Sequence, residues 1–183
     1  MSDPTPVTYL KTLFSQTEKG RCFLRNPRQR PYTKPNQQCI DSYDLEIVKA
    51  IRNSDIPKLR AMLQEGKSCN ACNRFGESIM HMACRRGLVD VVKFLIYEAH
   101  VAVDVRDDFG RTAMHDACWT IVPNLEVMDL VIRKISPDLL LSEDVRGHTP
   151  FHYARKEHWD VWVKFLEERD NILIRRLACL VLE

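Results

Sequence analysis

The chain has 183 residues, 45% of them hydrophobic and 28% charged, and a formal net charge of +2, enough for one domain of ordinary size with an apolar core and an extension. No apolar run approaches the roughly 20 residues that cross a bilayer, and the N-terminus lacks the apolar segment of a secretory signal. Seven cysteines, an odd number without scaffold spacing, argue against a disulfide framework and for reduced thiols in the cytosol or nucleus.

Charge and proline are concentrated at the start. Residues 1–40 hold seven Lys/Arg against two Asp/Glu, and five of the nine prolines. Pro27, Pro31 and Pro35 interrupt any regular element, so residues 1–41 are predicted to form a flexible, disordered basic arm. Within it, Val7 to Phe14 has the apolar content for one or two helical turns, formed against a partner. Regular structure is expected from about Ser42 or Asp44, either of which can cap a helix. Leu45, Ile47, Val48 and Ile51 then fall at near-helical spacing. Ile56, Leu59, Met62 and Leu63 give a second short amphipathic stretch that ends at Gly66.

Beyond this point the chain repeats itself. Gly76-Glu77-Ser78-Ile79-Met80-His81-Met82-Ala83 returns 34 residues later as Gly110-Arg111-Thr112-Ala113-Met114-His115-Asp116-Ala117. It returns again after 37 more as Gly147-His148-Thr149-Pro150-Phe151-His152-Tyr153-Ala154. The glycine permits a tight turn. Ser78, Thr112 and Thr149 are natural helix N-caps, and Pro150 suits the first helical position, where a missing N–H is harmless. A second helix is predicted in each unit. Leu88 to Glu98 carries Val89, Val92, Leu95 and Ile96 as its buried stripe, and Asn124 to Lys134 carries Leu125, Met128, Val131 and Ile132. Trp162-Val163-Lys164-Phe165-Leu166 matches Val91-Val92-Lys93-Phe94-Leu95, so the repetition does not rest on one motif. Thr120 to Pro123 lengthens the connection within the third unit, and His158 replaces the usual glycine in the fourth.

Three boxes in phase at this period mark a stacked repeat protein, and the pattern resembles the ankyrin repeat, whose signature is glycine, any residue, then Thr-Pro-Leu-His-x-Ala. The resemblance implies an all-α fold: an α-solenoid of about four helix-turn-helix repeats with finger loops. The repeats are expected at about 42–72, 73–106, 107–143 and 144–171, with 42–171 as the repeat domain. The first lacks the box, as terminal repeats often do. The apolar segment 172–183 is expected to be a C-terminal capping helix.

Candidate chemistry weighs against catalysis. His81, His115 and His152 lie one per repeat, roughly 10 Å apart, too far to share a metal bound at about 2 Å. The resemblance makes them structural, each imidazole bonding to the neighbouring repeat and mostly buried. Cys69 and Cys72, with His81 and Cys84, could be written as a zinc site, but His81 is committed to the box and Cys84 to a packing position. Cys118 shares a helix face with His115, yet a nucleophile also needs an orienting group and an oxyanion site, and no third partner is evident. No catalytic residue, metal, cofactor or small-molecule substrate is therefore expected.

A binding surface remains. By the resemblance, ankyrin stacks engage protein partners through finger tips and inner faces of first helices. Those positions are Arg74, Phe75, Asp108, Phe109, Arg111 and Arg146 at the tips, and Arg85, Arg86, Trp119 and Lys156 on the helices. Gly76, Gly110, Gly147, Thr149 and Pro150 join the three histidines as the structural box. The alternative is an adaptor whose basic arm meets nucleic acid or an acidic membrane surface, since clustered Lys/Arg gain from counterion release.

Overall fold

The computed structural model describes residues 4–25 and 36–179. Among these, α1 (Pro6–Ser15), α2 (Glu18–Arg25) and α3 (Gln37–Asp41) precede the repeats. The repeats contain α4 (Leu45–Arg52) with α5 (Ile56–Gln64), α6 (Ile79–Arg85) with α7 (Val89–Tyr97), and α8 (Ala113–Cys118) with α9 (Leu125–Ile132). A 3₁₀ segment Pro137–Leu141 follows. The fourth repeat has 3₁₀ turns at Pro150–Tyr153 and Lys156–His158, then α10 (Trp159–Glu167), and α11 (Asp170–Ala178) closes the described chain.

Each start has a local cause. The Asp44, Asp55 and Ser78 side chains accept the N–H of Ile47, Lys58 and His81, three residues on, which satisfies donors a helix N-terminus leaves free. Two rows result: α4, α6, α8 and the 150–153 turn stack along the inside, and α5, α7 and α9 along the outside. The core runs the length of the stack through Ile51, Leu59, Ile79, Leu95, Met114, Met128 and Leu166. This is the α-solenoid expected from the repeats.

Fingers project between the helix pairs, and one side chain shapes each. Asn73 Oδ1 accepts the N–H groups of Phe75 and Glu77. Asp107 Oδ1 does so for Phe109 and Arg111, and Asp144 Oδ1 for Arg146 and His148. Neighbouring fingers are tied by Asp108 N–H to Phe75 carbonyl and Val145 N–H to Phe109 carbonyl, both 2.9 Å. At Gly110 φ is +75°, and an added Cβ would lie 3.4 Å from Asp144 Cα and Val145 N in the next finger. Gly110→Ala is therefore expected to destabilise the protein by about 1–2 kcal/mol, the penalty of a side chain in the left-handed region, read as a lower denaturation midpoint. A midpoint equal to wild type would show that this finger relaxes freely.

The structure departs from the sequence reading in three places. Residues 1–41 were expected to be a flexible arm, but within them α1, α2 and α3 are helices. Thr5 caps α1, Pro6 opens it, and Val7, Leu10, Leu13 and Phe14 are buried. The surface that orders α1 and α2 is the last repeat of the same chain: α1 packs on α10 and α11, and α2 on α11. Residues 26–35 of the arm lie outside the described residues. Second, the first helix of the fourth repeat is shortened to the turn Pro150–Tyr153, after which Ala154 and Arg155 are extended. His158 stands where Gly87, at φ +66°, lets α6 turn directly into α7, so the fourth repeat takes a longer path. Third, the closing helix begins at Asp170, two residues early, and residues 180–183 are outside the described residues. Arg176 in it is half-buried and donates to the carbonyls of Ile132 and Ile135 at the end of α9.

Candidate functional site

The box histidines form a ladder. His81 Nδ1 accepts from the Ser78 N–H and faces its hydroxyl at 2.8 Å, and Nε2 lies 3.0 Å from the Arg111 carbonyl. His115 repeats this with Thr112 and the His148 carbonyl, at 3.0 and 3.1 Å. A carbonyl only accepts, so Nε2 carries the proton and each imidazole is neutral. Burial pushes both histidines below their ordinary value, His115 to about 4. With both nitrogens engaged, His81 has no lone pair for a metal and His115 cannot act as a base toward Cys118. Burial also raises the thiols of Cys69, Cys72 (to about 11), Cys84 and Cys118, away from the reactive thiolate. His152 departs from the expected burial: it holds Thr149 in the same way but is exposed, in the last repeat of the described residues.

The finger tips present apolar surface. Phe75 and Phe109 are 47% and 48% exposed. The Arg74 guanidinium sits 4.7 Å above the Phe75 ring. Arg111 lies 5.1 Å from the Phe109 ring centre and 6.0 Å from that of Trp119, held by the Asp107 carboxylate at 2.6 Å. Trp119 is 51% exposed at the C-terminal end of α8, its ring 5.9 Å from Tyr153. Tyr153 in turn donates to the Asp144 carboxylate and meets His148 edge-on. Phe109, Arg111, Trp119, Tyr153 and His148 thus form one continuous face along the inner side of the third and fourth repeats. Beside it, the lengthened turn exposes Ile121 and Val122.

Of the predicted site residues, Arg74, Phe75, Arg86, Asp108, Phe109, Trp119, Arg146 and Lys156 are exposed. Arg85 is not a free cation of the groove. It pairs with Glu77 and points at Asp116, 3.9 Å away. Lys156 stands 5.9 Å over Trp159 rather than beside Trp119.

Sequence reasoning missed Tyr153 and Asp116, which share the x position of the His-x-Ala box with Met82. Comparing that column would have shown one aromatic and one acid where a helix turns inward. Asp116 is fully buried, with no hydrogen-bond partner on either carboxylate oxygen. Burial lifts it to about 6, against the opposing pull of Arg85 and Arg111. The finger-turn residues Asn73, Asp107 and Asp144 were also missed; each stands three residues before its box glycine.

Among the described residues no helix is long and apolar enough to cross a membrane. Of the basic residues given to the arm, Lys19 donates to the Ala178 carbonyl and Arg21 to that of Ser15.

Residues 47–139 match the family model described as ankyrin repeats, in three copies. "Putative glutaminase 2" of Caenorhabditis elegans is 29% identical over 98 residues, 52% of this chain and 16% of that protein. Human "BCL-6 corepressor-like protein 1" is 29% identical over 104 residues, 55% of this chain and 6% of its own length. The mouse protein of that name is 28% identical over 104 residues. The chain spans less than a fifth of the length of these relatives. Ankyrin repeats in general mediate protein–protein contact and are typically non-catalytic.

Proposed function

The chain belongs to the ankyrin repeat family, and from that premise we propose that it is a non-catalytic module that binds a protein partner along its finger tips and inner helix faces. The observation that carries this reading is Arg111, which bridges two half-exposed aromatic rings while anchored by Asp107. Rigid aromatics flanked by arginine provide large contact area at low entropic cost and dominate interface energetics. Around them Arg74, Arg86 and Arg146 are exposed, so the partner segment is acidic with bulky apolar side chains. A corepressor-named relative accords with binding rather than turnover. Unpaired cysteines throughout suit a reducing compartment, the cytosol or nucleus.

The test is capture of partners on the full chain, followed by titration of a captured protein against variants. Trp119→Ala is expected to weaken binding by about 2 kcal/mol, near thirtyfold in Kd, while shifting the melting temperature little, since the ring is half in solvent. A variant that melts much lower yet binds normally when folded would make Trp119 a packing residue and defeat the assignment.

A further inference from the structure

The base of the first finger meets α3 at two cysteines. The Cys72 N–H donates to the Cys39 carbonyl at 3.0 Å. The bonds on either side of such a contact leave the two Cα atoms about 5–6 Å apart, inside the roughly 4.4–6.8 Å that a disulfide spans. The two sulfurs also interact. Burial raises the Cys72 thiol to about 11, and the neighbouring Cys39 thiol follows as the next cause. Burial by itself raises Cys69. The Cys69-Asn70-Ala71-Cys72 spacing suggests a pair within one loop, but folding sets Cys72 against the cysteine of α3.

The two sides of this contact differ in rigidity and access. Cys72 is 2% exposed and sits beside the fully buried Ala71. The Ala71 carbonyl accepts the Ile79 N–H at 3.0 Å, and Cys72 pairs across the finger with Ser78. By contrast, α3 has no fully buried side chain, and Cys39 is half-buried. A cavity of about 410 Å³ opens between Gln38 and Asp41 of α3 and Ile47 and Lys67 of the first repeat. An element with so little buried surface belongs to the low end of local stability. A covalent bond here would tie it to the finger that carries Arg74 and Phe75.

We propose that Cys39 and Cys72 form a modification site, a dithiol that exchanges with glutathione disulfide to make a reversible link between α3 and the base of the first finger. The half-buried Cys39 reacts first. Its thiolate attacks one sulfur of the small disulfide, giving a mixed disulfide and one glutathione thiolate, which takes up the proton that Cys39 lost. Cys72 then gives up its proton and attacks the Cys39 sulfur. The protein disulfide forms, and the second glutathione leaves as a thiolate and is protonated. Two protein thiols are oxidised, and one glutathione disulfide is reduced to two thiols. The second step is intramolecular, which offsets the small thiolate fraction of a buried thiol. Reversible links of this kind are the ones that a reducing compartment permits. The site lies apart from the Phe109–Trp119 face and does not depend on the partner-binding reading.

The experiment incubates the full chain with glutathione disulfide, blocks the remaining thiols by alkylation at low pH, and maps every cysteine by fragmentation mass spectrometry. A Cys39–Cys72 link is expected, about tenfold or more abundant than under the same concentration of reduced glutathione, and dithiothreitol should remove it. Cys69→Ser should keep the link. In Cys72→Ser, Cys39 should stop at the glutathione adduct. A wild-type chain in which Cys39 holds glutathione while Cys72 stays free overturns the proposal. So does a link from Cys72 to Cys69, or a Cys39 that remains a free thiol. These three readings come from the wild-type chain and do not depend on how well a variant folds.

Discussion

Replacing Phe14 with alanine is expected to lower the unfolding free energy by about 3–5 kcal/mol, the range for emptying a buried aromatic site. The side chain is fully buried, its ring edge-on to Phe23 at 6.3 Å. It belongs to the layer that seals the last repeat, whose own core is the aromatic series Phe151, Trp162 and Phe165 at 5.6 and 5.9 Å. A loss this large is a sizeable part of the stability of a small domain. The check is a urea titration of wild type and variant at low micromolar concentration. If residues 4–25 were a solvated arm, the two curves would superimpose, and that result would remove α1 from the fold.

Asp116→Asn is expected to act in the opposite direction. The displacement of Asp116 from 3.8 to about 6 means that its ionised form burdens the folded state by about 3 kcal/mol at neutral pH. Asparagine keeps the size and a polar tip, so the variant should recover part of this, about 2 kcal/mol at pH near 8. The pH dependence separates this mechanism from generic repacking. A carboxyl raised on folding contributes stability that is complete below its unfolded value and is lost as pH rises through the folded one, here from about 4 to 6. His115, depressed from 6.5 to about 4, behaves oppositely. Its contribution is complete above 6.5 and is lost as pH falls toward 4. The two nearly cancel in wild type across that interval. In Asp116→Asn the histidine stands alone, so the variant should lose on the order of 3 kcal/mol between pH 6.5 and 4, with His81 adding to the loss in the same sense. Denaturant titrations at three pH values provide the measurement. A constant offset between variant and wild type at all three would show that the carboxylate is not the cause.

The two variants lie on different sides of what could be read in advance. The box residues were legible because each acts locally. Gly110 sets a backbone angle, Thr112 caps the helix that starts beside it, and His115 reaches back three residues to hold that cap. Their recurrence in phase marked a stacked repeat, and the resemblance to ankyrin repeats then placed Phe75, Phe109 and Trp119 on the surface, where they are found exposed. The roles of Arg85 and Asp116 were not legible in the same way. The sequence shows a cation at the end of α6 and an acid within α8, 31 positions apart, and nothing local says that stacking aims one at the other.

The sequence by itself determined the repeat period, the box glycines and the box caps, because a backbone angle, a cap spanning three residues and apolar spacing along one helix need no knowledge of the rest of the chain; the all-α class came with the resemblance to ankyrin repeats. Only the tertiary structure decided the fate of the N-terminal segment. Leu10, Leu13 and Phe14 form a short apolar face that is marginal in water, so whether it orders depends on a surface some 160 residues away at Asp170 and Ala178. The burial of Asp116, the exposure of His152 in the last repeat and the bridging of Phe109 to Trp119 by Arg111 have the same origin. Each is set by which repeat lies next to it, and a neighbour in space is a property of the packed stack rather than of any stretch of sequence.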